Sequence, residues 1–385
     1  MERKKSPESL GFAFFFNMKN QKEESDKILL FIIPALLTFG LVMIASAGVA
    51  YSKIRFGDSY FFFKRQLLFG IVPGLAMLYV GQKINYAHWK KIAPPLFFTS
   101  IGLLVLVFIP GIGAKIYGAS RWIQLGSISF QPSEMLKLGL IIYLAAWLES
   151  RGERVKDIFE GLMPFMLILG LISFLLIKQP DVGTLGVIIL IAMSMFFVSG
   201  SRLSHMLAMG SAGIVLLFML IKTEDYRVSR FLVFLHPEID PQGVGYQINQ
   251  ALLALGSGGF FGVGLGHSLQ KFNYLPEPVG DSIFAIIGEE LGFVGASILV
   301  MLFVILAMRG LKIAKNAPDN FSRLLAIGIV SWIFFQAVIN IAAISGIIPL
   351  TGIPLPFISY GGTSVVFLML GVGILLNISK HTKLD

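Results

Sequence analysis

The stretch "ILLFIIPALLTFGLVMIASAGVA", from Ile28 to Ala50, contains no charged residue. A helix of about 20 apolar residues is long enough to cross the roughly 30 Å of hydrocarbon in a bilayer. Comparable apolar runs recur along the chain, and we predict ten membrane spans near residues 28–50, 62–82, 92–110, 133–149, 161–177, 183–199, 203–221, 282–307, 324–348 and 361–379. The sequence therefore predicts an all-α polytopic membrane protein.

The composition agrees with this fold class and excludes several kinds of site. Of the 385 residues, 55% are hydrophobic and 14% are charged, whereas a soluble chain carries about 25% charged residues. The absence of cysteine excludes disulfides, thiolate catalysis and cysteine metal sites. The net charge of +9 is typical of basic cytoplasmic loops next to anionic lipid, and we expect no nucleic-acid partner. No Walker loop, HExxH or GxSxG pattern is present.

An even number of spans places both chain ends on one side of the membrane. The segments on that side hold more Lys and Arg residues than the opposite ones, so the positive-inside rule predicts that both termini are cytoplasmic. We predict a cytoplasmic tail at residues 1–27, a membrane domain at 28–379 and a second cytoplasmic tail at 380–385. The segment 222–281 is then a long extracytoplasmic loop between spans seven and eight, and its amphipathic stretches predict short helices.

Charged residues at the span entrances are candidates for function, because burying them in a membrane is costly. In "GASRWIQLGSISFQPSEMLKL", Pro132 suits a helix start, and Glu134 and Lys137 are three residues apart, on one helix face. One interpretation is a self-neutralising ion pair. The other adds Arg121 and makes a cationic site for a phosphate or pyrophosphate.

Two further stretches place polar residues at span entrances. In "KQPDVGT", Asp181 is typical of a helix N-cap. In "NYLPEPVGDSIFAIIGEELGFVG", Asp281 is either an N-cap or a partly desolvated general base close to Glu277. Glu289 and Glu290, two turns further on, are expected to face the helix bundle.

The stretch "PLTGIPLPFISYGGTS", from Pro349 to Ser364, interrupts the junction of two spans with prolines and glycines. Irregular backbone at membrane depth is tolerated where protein buries it or where it lines a cavity. This segment is therefore either a rigid loop or a cavity wall that offers Ser359 and Tyr360 to a ligand.

Together these stretches resemble the SEDS family, which contains the FtsW and RodA proteins, from about Asp26 to Thr382. "GLGHSLQKFNYLPE" is more similar to FtsW than to RodA. The resemblance implies a GT-C-like bundle and a peptidoglycan glycosyltransferase that polymerises lipid II at the division septum, in the cytoplasmic membrane of a bacterium. It also implies an FtsI-like class B penicillin-binding transpeptidase and other divisome membrane proteins as partners. A lipid II flippase and a divisome scaffold without catalysis are the alternatives.

The resemblance assigns roles to individual residues. The essential loop aspartate of the family falls on Asp281, which we predict to be the general base while undecaprenyl pyrophosphate leaves. Here "PEPVGDSIFA" lacks the polar residue that family members often carry before this aspartate. A divalent cation, Mg or Mn, is left open, and no other cofactor is expected. The predicted substrate-binding residues are Arg121, Glu134, Lys137, Lys271, Glu277, Ser359 and Tyr360.

Overall fold

The computed structural model describes residues 25–116, 119–126, 128–222, 225–236 and 243–382. The helices, in chain order, are α1 (Lys27–Ala47), α2 (Val49–Phe56), α3 (Phe61–Lys83), α4 (Tyr86–Lys91), α5 (Ala93–Leu106), α6 (Pro132–Arg151), α7 (Ile158–Lys178), α8 (Val182–Val198), α9 (Leu203–Lys222), α10 (Asp225–Leu235), α11 (Val244–Ser257), α12 (Ile283–Lys315), α13 (Asn320–Ile344) and α14 (Gly362–Lys380). Most of the predicted first tail, residues 1–24, and the end of the second, residues 383–385, lie outside the described residues.

Ten of these helices coincide with the ten predicted spans. Within the described residues, α1, α3, α7, α12, α13 and α14 are long and apolar enough to cross a membrane, and α5, α8 and α9 are shorter apolar helices. The tenth is α6, which carries Glu134 and Lys137. The largest difference in bounds is at α12, which continues past the predicted residue 307 to Lys315. The predicted helical membrane fold is therefore confirmed.

A small sheet adds to the predicted helices. The strands β1 (Gly113–Ile116), β2 (Ala119–Leu125) and β3 (Ile128–Phe130) pair antiparallel in the order β1-β2-β3. β1 and β3 have only 4 and 3 residues, too few to show a periodic pattern, so the segment between the third and fourth spans was not predicted to form a sheet. The sheet places Arg121 on its central strand.

The two ends of the described chain meet at one end of the bundle. The main-chain amide of Asp26 donates to the hydroxyl of Ser379 at 3.0 Å, and the Asp26 carboxylate pairs with Arg309 at 2.5 Å. The first span therefore begins on the side where the last span ends, as an even number of spans requires. We call this end of the bundle the terminal face.

The opposite end of the bundle is where the predicted site residues collect. Because consecutive spans alternate in direction, α6, α8, α12 and α14 all begin at this end. Their first residues are Pro132, Val182, Ile283 and Gly362, and we call this end the site face. Pro132 is the first residue of α6, where its missing N–H costs no hydrogen bond.

The sequence predicts short helices in the long loop between the seventh and eighth spans, and the described part of this loop contains two. α10 and α11 both lie within residues 222–281, and residues 223–224 and 237–242 are outside the described ranges. Ala251 and Ala254 of α11 are fully buried, which lets α11 pack closely against α12.

Helix α12 is interrupted at Gly292, and the loop after α11 provides hydrogen-bond partners for the backbone groups that the interruption frees. Gly292 has φ 65° and ψ −167°, which interrupts the helical hydrogen bonds around it. The carbonyl oxygens of Glu289 and Glu290 accept instead from the amides of Val263 and Gly264, both at 3.0 Å. The amides of residues 293 and 294 donate to the carbonyls of residues 259 and 260, at 2.9 and 3.1 Å. Backbone groups freed at membrane depth are thus satisfied by protein, as a bilayer requires.

Replacing Gly292 with alanine is expected to destabilise the protein. The added Cβ would lie 2.3 Å from the amide nitrogen of Gly262 and 2.6 Å from the carbonyl oxygen of Phe260, at a φ that favours glycine. A lower midpoint of thermal unfolding, followed by tryptophan fluorescence, would show this effect. Gly170→Ala in α7 is the matched control, since its Cβ would meet nothing within 4 Å. Equal midpoints for the two variants would contradict the docking of the loop onto the break.

Candidate active site

Asp281 lies at the site face, two residues before α12 begins. It is not the N-cap of that helix, a position that Ser282 occupies. Its Oδ2 atom lies 3.5 Å from Nε2 of Gln247, an amide that also donates to the hydroxyl of Ser282 at 3.0 Å. Its Oδ1 atom is buried and has no hydrogen-bond partner within the described residues. One carboxylate oxygen is therefore available to accept a proton.

The surroundings of Asp281 favour its protonated form. Burial, and after it the negative charge of Glu277, raise the pKa of this carboxyl from 3.8 to about 6. The amide of Gln247 and the positive charge of Arg230 act in the opposite direction on the same pKa. Arg230 is held near the site by a 3.2 Å hydrogen bond to the carbonyl oxygen of Leu350. A carboxyl with a pKa near neutrality is suited to accept a proton during a reaction.

The predicted loop from Pro349 to Ser364 joins α13 to α14 and reaches Asp281. At Gly352 an added Cβ would lie 3.9 Å from Oδ2 of Asp281, so the glycine leaves open space beside the carboxylate. Ser359 is buried, and its hydroxyl accepts from the amide of Leu355 at 2.7 Å. The side chain of Ser359 therefore stabilises the loop, and its predicted contact with substrate stays a prediction.

Tyr360 anchors the end of this loop next to the approach to α12. Its main-chain amide donates to the carbonyl oxygen of Val279 at 2.8 Å, and its ring lies edge-on to Phe62 with centroids 4.9 Å apart. Burial raises the pKa of the Tyr360 hydroxyl, so the phenol stays protonated at neutral pH. Its role in substrate binding stays a prediction.

Glu134 and Lys137 form the predicted ion pair in the first turns of α6. Nζ of Lys137 lies 2.8 Å from Oε1 of Glu134, and both side chains are only 2% exposed. Nζ also donates to Oε1 of Gln336 at 2.8 Å and lies 5.1 Å from the ring centroid of Trp332. The other oxygen of Glu134, Oε2, is buried without a hydrogen-bond partner in the described part of the chain.

One face of α13 connects this ion pair to Asp281. Trp332, Gln336 and Asn340 are spaced four apart, which places them along the same side of the helix. We call these three residues the polar ladder. Gln336 accepts from Lys137 and Trp332, each at 2.8 Å, and donates to the carbonyl oxygen of Pro354 at 3.0 Å.

Of the three residues of the polar ladder, Asn340 is the one that contacts Asp281. Its Nδ2 atom donates to the carbonyl oxygens of Asp281 and Ile353, at 2.8 and 2.7 Å. The sequence analysis missed both Gln336 and Asn340. Their signal was present, since a glutamine and an asparagine four residues apart in an apolar span are costly unless they face a polar interior.

An Asn340→Leu variant is expected to unfold at a lower temperature than the wild type. Leucine removes the donor to two carbonyl oxygens, and a buried polar group left unpaired costs about 1–3 kcal/mol. Thermal unfolding followed by tryptophan fluorescence measures the shift. Gln124→Leu, at an exposed position of β2, is the control and should leave the midpoint unchanged. A midpoint for Asn340→Leu equal to that of the control would show that Asn340 does not support the loop.

Arg121 reaches the turn before α8 rather than the buried ion pair. It donates to the carbonyl oxygen of Gln179 at 3.2 Å and to that of Pro180, and Nη1 lies 3.9 Å from Oδ1 of Asp181. Asp181 is the predicted N-cap of α8, accepting from the amide of Thr184 at 3.4 Å. Arg121 and Lys137 share no hydrogen-bond partner in the described ranges, so a joint cationic site stays a prediction.

Lys271 belongs to a separate buried cluster. Its Nζ atom lies 2.9 Å from Oε1 of Glu290 and donates to the carbonyl oxygen of Gly266 at 2.6 Å. Glu290 also accepts from the hydroxyl of Ser46 at 2.7 Å, and Glu289 accepts from residues of the loop after α11. The expected inward orientation of both glutamates is confirmed. A direct contact between Lys271 and substrate would have to compete with this ion pair.

The described residues contain no group of three His, Asp or Glu side chains that could hold a metal ion. Asp281 and Glu277 supply two carboxylates at the site face. Mg²⁺ is commonly bound by one or two carboxylates together with substrate phosphates. Two carboxylates alone are few ligands for a cation. They fit a cation that a pyrophosphate also binds better than one that the protein holds alone.

The site and fold match a family of known proteins. The family model described as "FTSW_RODA_SPOVE: Cell cycle protein" matches residues 27–384. The chain belongs to the FtsW/RodA/SpoVE family. This confirms the resemblance drawn from the motifs at Arg121, Asp181, Asp281 and the loop that follows α13.

Relatives of this FtsW/RodA/SpoVE chain cover nearly all of it. It is 44% identical over 361 residues to the probable peptidoglycan glycosyltransferase FtsW of Trichlorobacter lovleyi, covering 94% of each chain. It is 42% identical over 366 residues to stage V sporulation protein E of Bacillus subtilis, covering 95% of this chain and 100% of that protein.

Solved structures of the family share the fold. One is a chain from a peptidoglycan synthase complex, solved in a study of the structural coordination of polymerization and crosslinking, with a TM-score of 0.79 and 28% identity. That match covers 94% of this chain and 99% of the other. Another is the rod shape determining protein RodA of Thermus thermophilus, with a TM-score of 0.68, 28% identity and coverage of 94% and 98%.

Proposed function

We propose that this protein is a peptidoglycan glycosyltransferase that polymerises lipid II into glycan strands during septal wall synthesis. The names of its FtsW relatives support the activity. The observation that carries the proposal is the state of Asp281. This carboxylate lies at the site face with one oxygen unpartnered within the described residues and a pKa raised to about 6.

In the proposed reaction Asp281 is the general base. It takes the proton from the 4-hydroxyl of the acceptor's GlcNAc while that oxygen attacks the anomeric carbon of the donor's MurNAc. The bond from that carbon to the pyrophosphate oxygen breaks, and undecaprenyl pyrophosphate leaves with the bonding electrons. Proton transfer to a positioned base contributes about 10²–10⁴-fold to a rate.

The leaving pyrophosphate needs positive charge near the membrane surface. Arg121 is the better placed of the two predicted cations, since its side chain is 31% exposed and lies against the turn before α8. Lys137 is buried and bound to Glu134 and Gln336. It therefore acts on the site indirectly, through its hydrogen bond to the polar ladder. A divalent cation on the pyrophosphate would add charge of the same sign.

The substrate explains why the carboxylates lie where they do. Lipid II has a polyprenyl tail in the bilayer and a sugar–peptide head in water, so its reacting bond lies at the boundary between them. Asp281 and Glu277 lie just before a membrane helix, at that boundary. We further propose that the site face is extracytoplasmic and the terminal face cytoplasmic, in line with the Lys and Arg distribution, and that a class B penicillin-binding transpeptidase is the partner.

The test is polymerisation of lipid II by the purified protein, with and without its cognate transpeptidase. Wild type should make glycan strands, and Asp281→Ala should make none while it elutes as a folded protein. Asp58→Ala is a matched control, because Asp58 is an exposed carboxylate paired with Lys64 outside the site. No strands from wild type even with the partner would favour a flippase or a scaffold, and a translocation assay in liposomes would separate those two.

The pH dependence of the rate tests the role of Glu277. Because the base must be deprotonated, activity should rise with pH through a midpoint near the pKa of Asp281, about 6. Glu277→Gln removes a negative charge that raises this pKa, so the midpoint should move to lower pH. Gln247→Leu removes a hydrogen bond that lowers it, so the midpoint should move to higher pH. If the pH midpoints of the two variants moved in the same direction, or did not move, the assignment of Asp281 as the base would be contradicted.

A further inference from the structure

A cavity of about 320 Å³ lies at the terminal face, the end of the bundle opposite to the residues of the proposed reaction. It is formed where the ends of α8 and α12 meet the beginning of α13. Four lining residues are apolar and two are cationic, namely Val198, Leu311, Ala314, Ile327, Lys315 and Arg323. Among the described residues, no acidic side chain lines it.

The two cations have no counter-ion in the part of the chain that the structure describes. The side chains of Lys315 and Arg323 are exposed, and neither makes an ion pair or a hydrogen bond within the described ranges. Asp319 is close to them in sequence, but its carboxylate accepts from the hydroxyl of Tyr86 at 2.7 Å and from the amide of Ser322 at 2.8 Å. The cavity therefore presents two positive charges beside an apolar wall.

The position of the cavity along α12 matches the level of lipid head groups. From the break at Gly292 to Lys315 the helix is roughly 35 Å long, at 1.5 Å per residue. The hydrocarbon core of a bilayer is about 30 Å thick. A helix longer than the hydrocarbon core carries its last turn out of it, so Lys315 lies at or just beyond the level where the phosphate groups begin.

We propose that this cavity binds the head group of an anionic phospholipid from the leaflet next to the terminal face. Lys315 and Arg323 contact the phosphate, and the apolar wall formed by Leu311 and Ile327 contacts the glycerol and the first carbons of the acyl chains. Basic pockets between membrane helices bind lipid head groups in this way. A soluble phosphate would gain nothing from the apolar wall, which is why a lipid is the occupant that the lining favours. The site does not depend on the proposed enzymatic function.

Native mass spectrometry of the delipidated full-length protein tests the proposal. Dioleoylphosphatidylglycerol is titrated against dioleoylphosphatidylcholine, and the tightly held lipid adducts are counted. Lys315→Gln/Arg323→Gln should hold one phosphatidylglycerol fewer than wild type, with that site weakened roughly thirtyfold, since each basic residue near the membrane surface contributes about fivefold. Lys315→Arg/Arg323→Lys keeps both charges and should hold the same number of adducts as wild type.

The matched control is Lys83→Gln/Lys91→Gln. It removes the same charge at the same end of the bundle from exposed residues that do not line the cavity, and it should bind lipid like wild type. An equal loss of adducts in this control would mean that the effect comes from general surface charge, and it would overturn the proposed site. Unchanged phosphatidylglycerol binding in Lys315→Gln/Arg323→Gln would overturn it too. Displacement of the adduct by millimolar inorganic phosphate would indicate a soluble anion in place of a lipid.

Discussion

An Asp281→Asn protein is expected to polymerise lipid II about 10²–10⁴-fold more slowly than wild type, the contribution of a positioned base. Asparagine preserves the shape of the side chain and the contact with Gln247, but its amide cannot accept the proton from the acceptor hydroxyl. The initial rate of glycan strand formation, measured at saturating lipid II with the transpeptidase partner present, gives the size of the loss.

The same substitution is expected to raise thermal stability, which separates a catalytic loss from unfolding. The folded-state pKa of Asp281 is about 6, above its ordinary value of 3.8. The folded protein therefore binds this proton more tightly than the unfolded chain, and stability is lost as pH rises from 3.8 through about 6. At neutral pH the cost is at most about 3 kcal/mol, reduced by the water that still reaches the side chain. A neutral amide avoids this cost.

Two results would contradict this expectation. A rate within threefold of wild type would show that Asp281 is not the base. A lower midpoint of unfolding at neutral pH would show that the carboxylate is structural. Repeating the unfolding experiment at pH 4, where Asp281 is protonated in the folded protein, should remove most of the difference between variant and wild type.

A Lys137→Met variant is expected to lose roughly 3–5 kcal/mol of stability, the usual result of removing one partner of a buried ion pair. Methionine fills a similar volume, so the loss reports charge rather than packing. It leaves Glu134 buried and only 2% exposed, with neither carboxylate oxygen paired within the described residues. The chain has no cysteine for thiol-reactive dyes, so unfolding is best followed by the fluorescence of its 4 tryptophans.

The double variant Glu134→Gln/Lys137→Met tests the origin of that loss. It removes both charges, and replacing a buried pair by neutral groups is often close to neutral for stability. We expect the unfolding midpoint to return most of the way to that of the wild type. Polymerisation of lipid II should still be slower than in wild type, because Gln336 has lost its hydrogen bond from Lys137. A double variant as unstable as Lys137→Met would show that the loss does not come from the uncompensated charge of Glu134.

The sequence predicted those features that depend on residues close together in the chain. The spans follow from continuous apolar runs, and the Glu134–Lys137 pair follows from a spacing of three on a helix. Asp281 was recognisable because a carboxylate at the start of a span is costly. The N-cap role of Asp181 is equally local. Each of these needs only the geometry of one helix or one turn.

The missed features depend on contacts between distant segments. Lys271 was predicted to bind substrate, yet its side chain is held by Glu290 and Ser46, which come from two helices distant from it in the chain. The ladder residue Gln336 is 199 positions from Lys137. No periodicity connects such residues, so only the packed bundle shows that Lys137 and Asp281 are linked through one face of α13.

The break at Gly292 also constrains how the chain is made. Residues 259–264, which satisfy the broken helix, precede it and leave the ribosome first. The start of α12 is too short to cross a bilayer alone and exposes unpaired backbone until this loop has docked. Packing of the start of α12 into the bundle should therefore follow the docking of this earlier segment, while the part after Gly292 is long enough to cross the bilayer on its own. A loop transplanted from a relative would have to keep its backbone register, whatever its side chains.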